Sequence, residues 1–233
     1  LVRMITVSPE LPGMCNFIRF CRELEITVSG GHDDAYDDVI YAALDEGMRC
    51  VTHIFCCSSE ISRRNSPQKR LGLTQIGMLD DRLYTEAIAD GNGVPHALLP
   101  LLFRTKGRDR VIFVSDSMRA TGLRPGRYRL GGGEDGVDVD VTDDAAILHG
   151  QNLFAGSIAP VSQMVSDAVQ QSKIPLVEAV LAVTKNPAAL LGLDDRGDVA
   201  AGKRAALNLI RSDGTLTATI VDGRIFQKGV EIP

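Results

Sequence analysis

In the first half of the chain, short apolar, β-prone runs alternate with segments of helical spacing. The runs are Met4-Ile5-Thr6-Val7, Ile26 to Ser29, Met48-Arg49-Cys50-Val51 continuing to His53, Leu83 to Ala89, and Val111 to Ser115. Between them, Met14 to Glu23 places Met14, Phe17, Ile18 and Cys21 on one helical face, and Asp37 to Glu46 does the same with Val39, Ile40, Ala43 and Leu44. Gly47 is placed to end the second helix. Pro95 to Arg104 reads as the helix after the fourth strand, with proline in its first turn. Ser58 to Arg70 is polar and rich in breakers and predicts a long loop. Strands that alternate with helices in this way predict an α/β fold with parallel strands.

After Ser115 the period changes to two. Tyr128-Arg129-Leu130, Val137 to Val141, and Ala146-Ile147-Leu148 lie between glycine-rich turns and predict a β-rich insert at about 126–150. Ser162 to Ser172 and Leu176 to Thr184 are predicted helices, the second ending near Asn186-Pro187. Ala206 to Ile210 and Leu216 to Val221 are predicted strands. Asp222-Gly223 makes a hairpin turn into Arg224-Ile225-Phe226.

The predicted strands end in four polar motifs, in order Gly31-His32-Asp33, Thr52-His53, Asp90-Gly91 and Ser115-Asp116. Metal-type residues at the C-terminal ends of successive parallel strands are how a (β/α) barrel builds an active site. Two histidines and an aspartate in such places suggest a metal-dependent hydrolase. Residue type alone leaves other readings open. A histidine after Gly-Gly also suits a turn, and Asp116 also suits a helix N-cap. Cys56-Cys57 can be small buried hydrophobes, Arg63-Arg64 a solvated loop pair, and His96 and His149 surface residues. Asp33-Asp34 and Asp37-Asp38 suit the start of a helix, where the dipole favours them. The order of the motifs on successive strands is what argues for one cavity.

Composition narrows the partners. The 233 residues carry a formal net charge of -5 and no long basic run, which argues against nucleic acid. No apolar run approaches the ~18 residues of a membrane span, so no membrane partner is expected. Five cysteines, an odd number without a CxxC pair, fit a reducing cytoplasm and exclude a thiolate zinc site of the usual spacing. Leu1-Val2-Arg3-Met4 reads as the start of a strand rather than a leader.

At these motifs the chain resembles the N-acetylglucosamine-6-phosphate deacetylases of the amidohydrolase superfamily. The matching segments also include Thr52-His53-Ile54-Phe55, Ile88-Ala89-Asp90-Gly91, Phe154-Ala155-Gly156-Ser157, Asn186-Pro187-Ala188 and Gly197 to Lys203, in the family's order. The resemblance implies a partial metal-dependent-hydrolase TIM barrel made of the C-terminal five strands, with a small β-rich domain. Residues 1–196 would be barrel with its insert, and residues 197–233 would be strands of a small β-sandwich domain. It further implies hydrolysis of the N-acetyl amide of an amino-sugar phosphate in amino-sugar catabolism. A divalent metal ion, zinc or iron among the candidates, and a cytoplasmic homodimer go with it.

Carried over residue by residue, the resemblance makes His32 and His53 metal ligands. Asp116 becomes the general acid/base that takes a proton from water and delivers it to the leaving amine. Phe154, Ala155 and Gly156 match a segment lying against the sugar. Cys56 and Cys57 stand where the family usually has Asn-Ala, at the phosphate end. Arg64, eleven residues after His53, matches a phosphate-binding arginine, with Arg63 or Arg70 as substitutes. Two departures stand out. The family's third protein ligand is an upstream glutamate with no counterpart here, so weak metal binding is expected. The histidine that polarises the scissile carbonyl is Gly93, leaving His96 to reach back or a Gly93→His change to restore it. An amidohydrolase of different amide specificity, or a truncated non-catalytic barrel remnant, are the alternative readings.

Overall fold

The structure is a computed structural model that describes residues 2–63, 67–132, 135–227, 230 and 231. Its main layer is a parallel sheet in the order β1 (Met4–Val7), β2 (Thr27–Gly30), β3 (Met48–Val51), β4 (Tyr84–Ala87) and β5 (Val111–Phe113). The order follows the sequence, as a barrel wall requires, and supplies five of the eight strands that close such a barrel. The helices α1 (Met14–Glu23), α2 (Asp37–Glu46), α3 (Leu73–Leu79) and α4 (Leu99–Lys106) connect these strands. The core joins sheet and helices through Ile18, Ile40, Leu44, Met48, Ile76, Leu83 and Leu102, all fully buried.

Register decides which side chains face the other way. Thr85 points at the helices, where its hydroxyl donates to the Gly77 carbonyl at 2.9 Å. Its neighbour Glu86 therefore points to the opposite face. Thr6 pairs with Ser29, Ser29 with Cys50, and Cys50 with Tyr84, two residues from Glu86. These polar side chains line the concave, barrel-interior face.

The remaining strands form two antiparallel sheets. β6 (Gly126–Leu130), β7 (Val137–Val141) and β8 (Ala146–Leu148) make the predicted insert, over a small core of Met118, Ala120, Val139, Val141, Ala146 and Ala155. After α5 (Val161–Gln170), α6 (Leu176–Val183) and α7 (Lys185–Leu190) come β9 (Leu207–Ile210), β10 (Leu216–Val221), β11 (Arg224–Gln227) and β12 (Val230–Glu231), in sheet order β12-β11-β10-β9. The β10–β11 turn holds Asp222 and Gly223 at φ 49 and 77, the left-handed pair that a tight hairpin needs.

Besides the short strand β12, which the pattern reading did not include, three helices differ from it. α3 went unpredicted because its N-terminus is capped from a distance: Leu73 N–H donates to the Ser59 hydroxyl at 2.8 Å and Thr74 N–H to the Ser59 carbonyl at 3.1 Å. α4 starts at Leu99, since Pro95 to Leu98 close a separate turn. Asn186-Pro187 does not end a helix but opens α7, where proline needs no donor. There the Asn186 amide donates to the carbonyls of Arg108 and Val111, tying α7 to β5. Among the described residues no helix is long and apolar enough to cross a membrane.

Candidate active site

The sheet places all four motifs at one edge. β2 ends at Gly30 with His32 just beyond, β3 at Val51 with His53, β4 at Ala87 with Asp90, and β5 at Phe113 with Asp116. His32 and His53 meet: their Nε2 atoms are 2.9 Å apart and their rings cross at 76°. His53 is buried, whereas His32 and Asp116 are exposed. The two histidines, Asp90, Asp116, Cys56 and Cys57 line one cavity of about 670 Å³, which Phe154, Ala155 and Gly156 continue. All the sequence-predicted site residues except Arg64 therefore share a cavity; Arg64 lies outside the described residues.

Backbone strain concentrates here. His32, His53 and Asp116 have φ of 51, 28 and 46, in the left-handed region that L-residues avoid at a cost of ~1–3 kcal/mol each. Such strain persists only where surrounding contacts over-determine it, and the contacts around His32 and His53 are dense. The Ser8 hydroxyl donates to the His32 carbonyl at 2.9 Å. The Asp33 carboxylate accepts the Ser59 N–H, the Ser59 hydroxyl and the Ala35 N–H at 3.0, 2.6 and 3.0 Å. Asp33 thus ties the His32 loop to the His53 loop, and both its oxygens are committed. Gly72 allows this crossing, since a Cβ there would sit 2.3 Å from the Ser59 carbonyl oxygen. Below the histidines, Thr6, Thr52 and Ser29 form a hydroxyl chain with spacings of 2.9 and 2.7 Å.

Asp116 is no N-cap, because the next helix, α5, begins at Val161. Its carbonyl accepts Ser157 N–H at 2.8 Å, and Met118 N–H returns to the Ser157 carbonyl at 2.9 Å. The end of β5 is thereby stitched to the 154–157 segment. Both Asp90 oxygens are engaged: Oδ1 accepts the N–H groups of Asn92 and Gly93, and Oδ2 accepts the Ser157 hydroxyl at 2.8 Å.

The Gly93 expectations fail on geometry. A Cβ at Gly93 would stand 2.6 Å from Ile88 Cβ, so a histidine cannot simply be restored there. Nor does His96 reach back. Its ring lies against Gly91, its Nδ1 is 3.3 Å from the Ser172 hydroxyl, and it faces a neighbouring cleft with Asp143 and Asp144. Arg70 is equally unavailable as a phosphate holder. Its guanidinium is bound to Asp37 and Asp38 at the start of α2, and holds the Asp37 carboxyl below its ordinary range. The exposed Arg63 donates to the Pro67 carbonyl at 2.8 Å. Among the described residues no lysine or arginine lines the cavity.

Two titrating groups are displaced. Desolvation, then Cys57, Asp116 and Asp90, push the Cys56 thiol up to about 11, so it is a poor thiolate donor. Glu86, which the strand pattern left unremarked, is pushed up to about 7 by desolvation and by Asp116, against the His53 backbone N–H that favours its charged form. A glutamate within an apolar strand was the signal for it. Ser59, whose bonds join separate loops, left no comparable signal, and Ser157 was marked only as the last residue of the Phe154–Ser157 segment.

The histidine pair suits a divalent ion. Neutral imidazoles are common ligands, and nitrogens 2.9 Å apart can both make bonds of ~2.0–2.1 Å to one ion. The buried His53 Nδ1 has no hydrogen-bond partner among the described residues. No cluster of three or more metal-type side chains forms among those residues, so the pair supplies two ligands and not a full set.

The model of the Amidohydrolase family matches residues 16–226. Over 226 residues the chain is 30% identical to the N-acetylglucosamine-6-phosphate deacetylase of Bacillus subtilis, covering 97% of this chain and 54% of that protein. It is 28% identical over 207 residues to the N-acetylgalactosamine-6-phosphate deacetylase of Escherichia coli O157:H7, covering 88% and 52%. A structure of the Mycobacterium smegmatis N-acetyl-D-glucosamine-6-phosphate deacetylase, a mutant in complex with N-acetyl-D-glucosamine-6-phosphate, superposes with a TM-score of 0.86. It is 33% identical, with 96% of this chain and 57% of that one covered. The chain spans about half the length of the curated relatives it matches.

Proposed function

The chain belongs to the amidohydrolase family, and on that premise we propose that it carries a deacetylase-type site that hydrolyses the N-acetyl amide of an amino-sugar phosphate. His32 and His53 hold a divalent ion, zinc in the first instance. When bound, the ion supplies Lewis acidity and makes water a better nucleophile. Asp116 accepts the proton of the attacking water and delivers it to the amine as the C–N bond breaks, giving acetate and a free amino group. Phe154, Ala155 and Gly156 flank the sugar, and Cys56, Cys57 and Arg64 serve the phosphate end. A cytoplasmic homodimer is part of the same reading, and the five free cysteines favour such a compartment.

The observation that carries the proposal is the convergence of His32, His53 and Asp116, each with positive φ, on one cavity at the strand ends. Its test is acetate release from N-acetylglucosamine-6-phosphate by the natural full-length protein supplied with zinc. The expected result is slow release that His53→Ala abolishes. A missing carbonyl-polarising donor typically costs ~10²–10³ in rate.

A second reading, an amidohydrolase acting on a different amide, is favoured by the packing of Gly93 on Ile88. Rapid turnover of N-acetylglucosamine-6-phosphate would exclude it. Cleavage of an unphosphorylated N-acyl amide in preference would select it.

A further inference from the structure

We propose that Thr52 is a positioning residue whose hydroxyl ties β3 to β1 and β2 one residue before His53, and so sets the spacing of the two histidines. Most metal-type histidines are oriented through the ring, whose second nitrogen donates to a carboxylate or carbonyl. His53 lacks that anchor: its Nδ1 is buried without a partner among the described residues. The ring must be aimed by the backbone that carries it, and that backbone is held at φ 28.

Strands β2 and β3 last pair at Gly30–Val51. One residue further, Gly31 and Thr52 form the last level below His32 and His53. The Thr52 side chain fills that level, since a Cβ at Gly31 would stand 2.9 Å from Thr52 Cβ. Its hydroxyl bonds the Ser29 hydroxyl of β2 at 2.7 Å and the Thr6 hydroxyl of β1 at 2.9 Å. A hydroxyl has one proton to donate and lone pairs to accept with, so Thr52 can make both bonds at once. Ser29 is fully buried. The Thr52 N–H also donates to the Gly30 carbonyl at 2.9 Å, but any residue other than proline would keep that backbone bond. What threonine adds is a side-chain bond to each of the two preceding strands. The three strands are thereby fixed at one level, from which the left-handed turns at His32 and His53 both start. Without the hydroxyl the imidazoles are free to part beyond the 2.9 Å that lets both reach one ion. The metal consequence rests on the reading of His32 and His53 as ligands; the spacing itself does not.

The test uses the natural full-length protein with isotope-labelled histidine. Thr52→Val removes the hydroxyl, and Thr52→Ser keeps it. Thr85→Val is the control, because it loses a buried hydroxyl bond to the Gly77 carbonyl on the opposite face of the sheet. In metal-free protein, an NMR coupling across the hydrogen bond between the two Nε2 atoms reports their contact. It should be present in the wild type, Thr52→Ser and Thr85→Val, and lost in Thr52→Val. Zinc affinity, measured by calorimetry, should fall ~10–100-fold in Thr52→Val, the usual effect of losing a group that supports a metal ligand, and stay near wild type in the other two. A coupling absent from the wild type, or kept in Thr52→Val, overturns the proposal. So does an equal loss of zinc affinity in Thr85→Val, the mark of general destabilisation. If Thr52→Val fails to fold, Ser29→Ala removes the hydroxyl's partner and should weaken the same coupling; an unchanged coupling there overturns the proposal. A wild type that shows the coupling but binds no zinc overturns the metal reading, and the spacing role then stands or falls on the coupling in Thr52→Val.

Discussion

The rim over β2 and β3 and the rim over β4 are braced alike but present different chemistry. Each has an aspartate whose carboxylate accepts three hydrogen bonds: Asp33 from Ser59 and Ala35, Asp90 from Asn92, Gly93 and Ser157. Each aspartate ties its own turn to a distant loop. The first rim then presents two imidazoles with their nitrogens 2.9 Å apart. The second presents Gly93, packed so closely on Ile88 that an added Cβ would stand 2.6 Å from the Ile88 Cβ and force a shift. The bracing of a site and its chemistry are thus separable. The two rims are tied in the same way, yet only the first carries side chains with ligand chemistry, and the second packs Gly93 on Ile88.

The largest expected effect is at Asp116, which lines the same cavity as both rims. In a full-length, active protein Asp116→Asn should lower kcat by ~10²-fold or more, as loss of a general acid/base does. Near-normal turnover would remove Asp116 from the chemistry and leave the β5 end a structural stitch.

Equal bracing is tested by stability. Asp33→Ala strands two Ser59 donors and the Ala35 N–H, and should cost about 2 kcal/mol in urea unfolding, the scale of lost bonds to a charged group. Asp90→Ala should cost about the same. A difference of several kcal/mol between them would show that the rims are not equivalent. Gly93→Ala should cost ~1–2 kcal/mol by overpacking against Ile88 and should not raise activity. A neutral or stabilising effect would mean that the β4 rim can yield, reopening a place for a side chain.

The smallest effect is a pH dependence. Glu86 has a folded-state pKa of about 7, above the ordinary carboxylate range. Its raised value favours the protonated, folded form, so this contribution is full below ~4.3 and is lost as pH rises through about 7. Urea midpoints measured from pH 5 to 8 should flatten in Glu86→Gln; an unchanged slope would remove Glu86 as the source.

The legible part of the fold was what depends on local pattern. Met14–Glu23, Asp37–Glu46, Val137–Val141 and Leu216–Val221 follow from periodicity alone and appear with those bounds. α3 did not, because Ser59, far along the chain, caps it. α7 did not, because a proline in a first turn and one in a helix-ending turn look the same without the Asn186 bonds to Arg108 and Val111. In the site, His32, His53 and Asp116 were readable as polar residues at successive strand ends. The seat of His96 was not readable, since sequence distance from Gly93 says nothing of which side of Gly91 the ring takes. Glu86 was readable only as an oddity within an apolar strand. Its place on the concave face depends on the register of β3 on β4 and on Thr85 turning outward.

The contrast between the rims rests on the histidine pair holding a metal. Crystals of the protein grown with zinc and measured at the zinc absorption edge would locate the ion. One anomalous peak within ~2.0–2.1 Å of both His32 Nε2 and His53 Nε2 is the expected result. A peak elsewhere, with the two imidazoles still hydrogen-bonded to each other, would contradict it.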